Sequence, residues 1–186
     1  TAVYRDELRR SPGGAESLNR DLAVEALQFL DLDDAGRRWS DTHYRGGYTS
    51  FTTFRALHRV SSTFRRLERW LDPHVRAFAR YLEFESVEDL SMTDCWVNVM
   101  SEGAAHGSHI HQCSTISGSY YVQTPPGCSG IRFEDPRLDR MMAAPSRLGS
   151  ARRRNQQAVE YPARAGDVVL FESWLRSPGG RGGGHR

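Results

Sequence analysis

"SEGAAHGSHIHQCSTISGSYYV", residues 101–122, decides how this chain is read. His109 and His111 stand two residues apart, between stretches with the pattern of β-strands. In extended backbone, side chains at i and i+2 leave on the same face. Two imidazoles held that way are a pair of metal ligands if a third group arrives from another strand. Non-haem iron centres take three protein groups on one face and leave the remaining positions open. The plainer reading is two polar residues on a half-exposed strand. The pair alone leaves both readings standing.

Outward from the pair, the period of two continues. "TDCWVNVM" (93–100) reads as a strand, and so does "STISGSYYVQ" (114–123). The latter puts Ser117, Ser119 and Tyr121 on one face and Gly118, Tyr120 and Val122 on the other, and Pro125-Pro126-Gly127 ends it. "GIRFEDP" (130–136), "AVEYPA" and "DVVLFESW" (167–174) give three more strands, the last two separated by a turn at Ala165-Gly166. Between them, residues 137–156 form a basic insertion that includes Arg152-Arg153-Arg154.

Toward the N-terminus the period lengthens. Leu18, Leu22, Leu27 and Leu30 predict an amphipathic helix over 15–32. Phe64, Leu67, Leu71, Val75, Phe78, Ala79 and Leu82 predict helix over 61–82, split or kinked at Pro73. "VYRDEL" (3–8) is a short strand or extended entry, "SPGG" (11–14) a turn, and 34–60 a loop with irregular pieces. Helices followed by a run of short strands predict an α+β domain, and the strands with their metal-binding face predict a jelly roll. The expected division is one domain over 1–175, with helical support in 1–90 and strands in 91–175. A Gly/Arg-rich tail, 176–186, is expected to be disordered because it holds five glycines and no apolar residue.

The 186 residues are enough for one core, and the net charge of +2 draws the chain to neither nucleic acid nor membrane. All 25 basic residues are arginine, which fits a GC-rich coding bias. No apolar run reaches the roughly 18 residues of a membrane helix. Cys95, Cys113 and Cys128 are scattered and odd in number, which suits reduced thiols in the cytoplasm. Three adjacent arginines without interleaved aromatics read as a solvated loop rather than a nucleic-acid contact.

The ordered set "GYTSF" (47–51), "CWVNVMSEGAAHGSHIHQCSTISGSYYVQTP" (95–125), "FEDPRL" (133–138), "MMAAPSR" (141–147) and "AGDVVLFESWL" (165–175) resembles the bacterial 2-oxoglutarate/Fe(II)-dependent oxygenases. The resemblance covers most of the chain. It implies a double-stranded β-helix with the N-terminal helices packed on its outer face. It also implies Fe(II), 2-oxoglutarate as cosubstrate and O₂, with His109 and His111 as the first two metal ligands. The family places a third histidine shortly after the "SWL" segment, where this chain has Ser177, and then an arginine on a later strand. The expectation is therefore a dioxygenase of hydroxylase type with an aberrant or truncated C-terminus. It would be inactive in this form if the third ligand and the arginine are missing. A switch of reading frame in GC-rich DNA is the expected origin of the tail.

Asn98, sharing a strand face with Trp96 and Met100, is a candidate to hydrogen-bond the cosubstrate carboxylate; the alternative is a buried amide satisfied by backbone. Tyr121, facing with Ser119, is a candidate to line the same cavity, or packs in the core. His106 reads as a loop or supporting residue, Trp174 as core, and Glu134 and Asp135 as turn residues. The competing readings are a cupin-type metalloprotein, on Gly103 and the histidine pair, and a jelly-roll binding protein without catalysis. The substrate is expected to be a small molecule or peptide. Loss of terminal strands would expose sheet edges and predicts a poorly soluble monomer or a homodimer closed through them.

Overall fold

The computed structural model describes residues 1–8, 14–44, 46–101, 104, 109–137, 142–143 and 145–177. Gly103, His106 and His185 lie outside these residues, as do the expected turn before Gly14 and the tail from residue 178 onward.

The helical half opens with β1 (Val3–Glu7) and α1 (Ala15–Leu32). Residues 34–60, expected as loop, instead form α2 (Asp34–His43), β2 (Gly47–Thr49) and α3 (Leu57–Val60). A cap, not apolar periodicity, makes α2. The Asp33 carboxylate accepts the Gly36 N–H at 2.9 Å, and the buried side of the helix is only Gly36 and Ser40. Such small residues let α2 lie close to β2, where Ser40 Oγ accepts the Thr49 N–H at 3.1 Å.

α4 (Ser62–Tyr81) is one continuous helix. Ser61 caps it, accepting from the N–H groups of Thr63 and Phe64. Pro73 does not split it. Both Pro73 and Arg69, whose carbonyl the proline cannot serve, are exposed, so water can take up that acceptor.

The strand half comprises β3 (Asn98–Met100), β4 (Ile116–Tyr120), β5 (Ile131–Glu134), β6 (Ala158–Tyr161) and β7 (Asp167–Glu172). All ladders are antiparallel: β1-β7-β4 in one sheet, β2-β3 in a second and β5-β6 in a third. This is an α+β arrangement. The described strands form these three separate ladders, and their order does not trace the jelly roll expected from the sequence. The expected strand over 93–100 shortens to 98–100, because Cys95 makes only an isolated bridge to Ala56.

β7 is buried on both faces. Val168 and Leu170 join Leu18 and Leu22 of α1 and Phe64, Leu67, Leu71 and Phe78 of α4. Val169 and Phe171 face the other way, onto Phe133 of β5 and Leu175. The Phe133 and Phe171 rings meet edge to face at 4.8 Å. The helices thus back the central sheet, and β5–β6 lies across its other face. Trp174, expected in the core, is 50% exposed; Leu175, at 2%, is the residue that turns inward. Arg176 and Ser177, assigned to the tail from the sequence, belong to the fold. The Arg176 carbonyl accepts the Glu134 N–H, and Ser177 is buried. No described helix is long and apolar enough to cross a membrane.

Candidate metal centre

The second face of β7 carries the histidine pair. His109 forms an isolated antiparallel bridge with Ser177, whose N–H donates to the His109 carbonyl at 3.3 Å. Two residues on, the His111 N–H donates to the Ser173 carbonyl at 3.2 Å. These bonds hold 109–111 extended over the turn that follows β7. Both rings then leave on one side, with centroids 5.0 Å apart and planes at 67°. Ile110, between them, is exposed.

His111 is the more enclosed of the two. Its ring lies 5.8 Å from Trp96 and 6.0 Å from Phe171. Burial, followed by repulsion from His109, holds its pKa below the ordinary 6.5. The ring is therefore neutral at pH 7, the form that binds a metal. His109 is exposed, so the pair opens to solvent on its side. Beneath it, Ser173 and Ser117 share a hydroxyl–hydroxyl hydrogen bond of 2.7 Å. Cys113, just beyond the pair, takes a positive φ of 63° in the turn that leads into β4.

The aromatic wall continues away from the pair. Phe51 meets Trp96 edge to face at 5.1 Å, and the Arg55 guanidinium lies over Phe51 at 5.5 Å. Arg55 in turn pairs with Asp94 at 2.7 Å. Sequence reasoning named Trp96 only as a neighbour of Asn98 and missed Phe51 and Phe171 at the site. The alternation of Val169 and Phe171 in "DVVLFESW" was the available signal for Phe171. Phe51 carried none, because its approach depends on how β2 folds onto β3.

Asn98 is exposed on β3. Tyr121 faces the same layer as Phe171 but stands at the opposite end of β7. Its N–H donates to the Asp167 carbonyl, four residues and about 13 Å along the strand from Phe171. Burial foremost raises the Tyr121 phenol to about 12, with a backbone hydrogen bond from Ile131 opposing the shift. Asp135 is tied to Arg137, at 2.7 and 2.8 Å, as expected of a turn residue. A cleft of about 630 Å³ lies elsewhere, between α2 and β2–β3, lined by Arg37, Asp41, His43, Tyr44 and Tyr48 among others.

Two imidazoles on one face fit two of the three protein places of a non-haem iron centre. Among the described residues, no three His, Cys, Asp or Glu side chains come together, and the residue across from His109 is Ser177. No curated protein matches the chain. Residues 94–178, which include Trp96, His109, His111, Phe171 and Ser177, match the family described as "Putative 2OG-Fe(II) oxygenase", and this similarity supports an oxygenase at the level of the family.

Proposed function

We propose that this chain is an Fe(II)/2-oxoglutarate-dependent dioxygenase of hydroxylase type, acting on a small-molecule or peptide substrate. His109 and His111 hold the iron. The observation that carries the reading is the 5.0 Å imidazole pair inside the segment that matches the oxygenase family. A double-stranded β-helix, finer than the three ladders described above, is the architecture this reading implies.

When bound, the iron supplies oxidising chemistry at the expense of O₂ and the cosubstrate, which leaves as succinate and CO₂. The chain's own residues do the rest. His111, kept neutral by its burial, offers a lone pair without first losing a proton. Trp96 and Phe171 limit the ring's movement and keep water from that side. Asn98 presents an amide for a carboxylate of the cosubstrate. Tyr121 lines the far end of the same layer, where a phenol held at about 12 is a neutral hydrogen-bonding group at physiological pH.

The test is iron-dependent conversion of 2-oxoglutarate to succinate by the purified chain, with His109→Ala and His111→Ala as controls. The expected result is turnover that needs iron and is lost in both variants. Iron bound through the pair with no succinate formed would favour a metal-binding protein without turnover, a reading that the serine across from His109 keeps alive. Iron uptake indifferent to both substitutions would sink the proposal.

A further inference from the structure

We infer that the substrate is a monocarboxylic acid with an extended apolar body, which lies along Trp96 and Phe51 while Arg55 takes its carboxylate. This names the substrate class of the site proposed above and rests on that reading. The wall that starts at His111 passes to the Trp96 ring at 5.8 Å and then to the Phe51 ring at 5.1 Å. It ends at the Arg55 guanidinium, 5.5 Å from the Phe51 centroid. Phe51 is 40% exposed and Trp96 is half-buried, so both rings are open to a ligand. Apolar surface with one convergent polar group is the usual make-up of a small-molecule site.

The outer end of the wall suits an anion. Arg55 is held twice: its Nε donates to Asp94 Oδ1 at 2.7 Å, and its Cζ lies over the Phe51 ring. These contacts fix the head group and leave its two Nη groups without a hydrogen-bond partner among the described residues. The Arg55 side chain is 63% exposed. Two Nη groups side by side match the two oxygens of a carboxylate. Asp94 already balances one unit of charge there, so the attraction comes from directed hydrogen bonds rather than from net charge. A phosphate dianion would meet the Asp94 carboxylate as a like charge. Two rings stand between the guanidinium and His111, so the carboxylate that Arg55 takes belongs to the substrate and not to a cosubstrate held at the pair. The part of the substrate that crosses those rings must be apolar to gain from covering them.

Octanoate, octanol and acetate are the probes, added to the metal-free full chain and followed by the Trp96 indole N–H signal in NMR, assigned through its loss in Trp96→Phe. Octanoate should shift that signal saturably and bind at least about tenfold more tightly than octanol. Acetate, which lacks the apolar body, should leave the signal in place. Arg55→Gln should weaken octanoate at least about tenfold and leave octanol unchanged, whereas Phe51→Ala should weaken both. A loss of fold in Arg55→Gln would weaken both ligands, so the split between acid and alcohol separates recognition from structure. Octanol that binds as tightly as octanoate overturns the inference, and so does octanoate binding that ignores Arg55→Gln. Inorganic phosphate that displaces octanoate at a lower concentration than acetate does also overturns it. If Arg55→Gln fails to fold by far-ultraviolet circular dichroism, the wild-type comparison of the three probes decides alone. No iron is present in this assay. Octanoate binding without succinate formation in the earlier test therefore removes the dioxygenase reading, and succinate formation without octanoate binding removes the substrate inference alone.

Discussion

Asp33 joins three parts of the helical half, and its removal is the clearest test of how the wall beside His111 is held. One carboxylate, 4% exposed, accepts the Gly36 N–H at 2.9 Å, the Tyr48 hydroxyl at 2.9 Å and the Thr53 hydroxyl. It caps α2 and ties to it both β2 and the turn that carries Phe51. Loss of a cap costs about 1 kcal/mol. Each hydrogen bond to a charged acceptor contributes about 1.5–3 kcal/mol, and the contributions of one shared group do not add in full. Asp33→Ala should therefore cost about 4 kcal/mol. For a chain of this size that is a fall of about 10 °C in Tm, with roughly half as much for Asp33→Asn, which keeps one acceptor oxygen. Burial alone would raise the Asp33 carboxyl. Hydrogen bonds from Thr53, the Gly36 N–H and Tyr48, helped by the Arg37 charge, outweigh it and hold the group below 3.8. A depressed folded-state pKa contributes stability that is complete above 3.8 and is lost as pH falls through the folded value. The gap between wild type and Asp33→Asn should then be full at pH 7 and narrow below pH 3.8. Thermal unfolding followed by circular dichroism at several pH values measures both effects. A Tm change under about 3 °C for Asp33→Ala at pH 7 would refute the reasoning.

Burial is the first cause that lowers the pKa of both His111 and His74, so in metal-free protein their ring protons should titrate below 6.5 by NMR. The unfolded chain takes up these protons first, so stability should decline as pH falls below 6.5; midpoints at or above that value contradict the burial. Gly118 has no room for a side chain, since an added Cβ would lie 2.5 Å from Leu170 Cδ2 and 2.9 Å from the Val169 carbonyl oxygen. Gly118→Ala should lower stability by about 1–3 kcal/mol, against no loss for Gly149→Ala, where nothing lies within 4 Å; equal unfolding midpoints for the two variants would contradict the β4–β7 packing.

Much of this fold was legible because its elements carry a clean period. Leu18 and Leu22 on α1, the apolar row of α4, and the alternation in β4 and β7 all lie where the pattern puts them. α2 was not legible, because a polar segment became helical through one capping carboxylate and two small residues rather than through an apolar stripe. The effect of Pro73 was misjudged because the exposure of Pro73 and Arg69 is a tertiary fact. At the site, the i, i+2 spacing was enough to foresee that His109 and His111 meet. Their surroundings were not foreseen. Trp96, from the segment before β3, and Phe171, on β7, reach His111 from distant parts of the chain, and sequence reasoning turned Trp174 inward where the bend after β7 turns Leu175 in instead.

The two-faced burial of β7 ties the chemistry to the helices. Val168 and Leu170 of that strand pack in one core with α1 and α4, and Phe171 on the other face meets His111. Adding or deleting a single residue within Asp167–Glu172 would exchange these roles and carry Ser173 and Ser177 out of step with His111 and His109. A change of length in that strand therefore reaches the helical core and the histidine pair together.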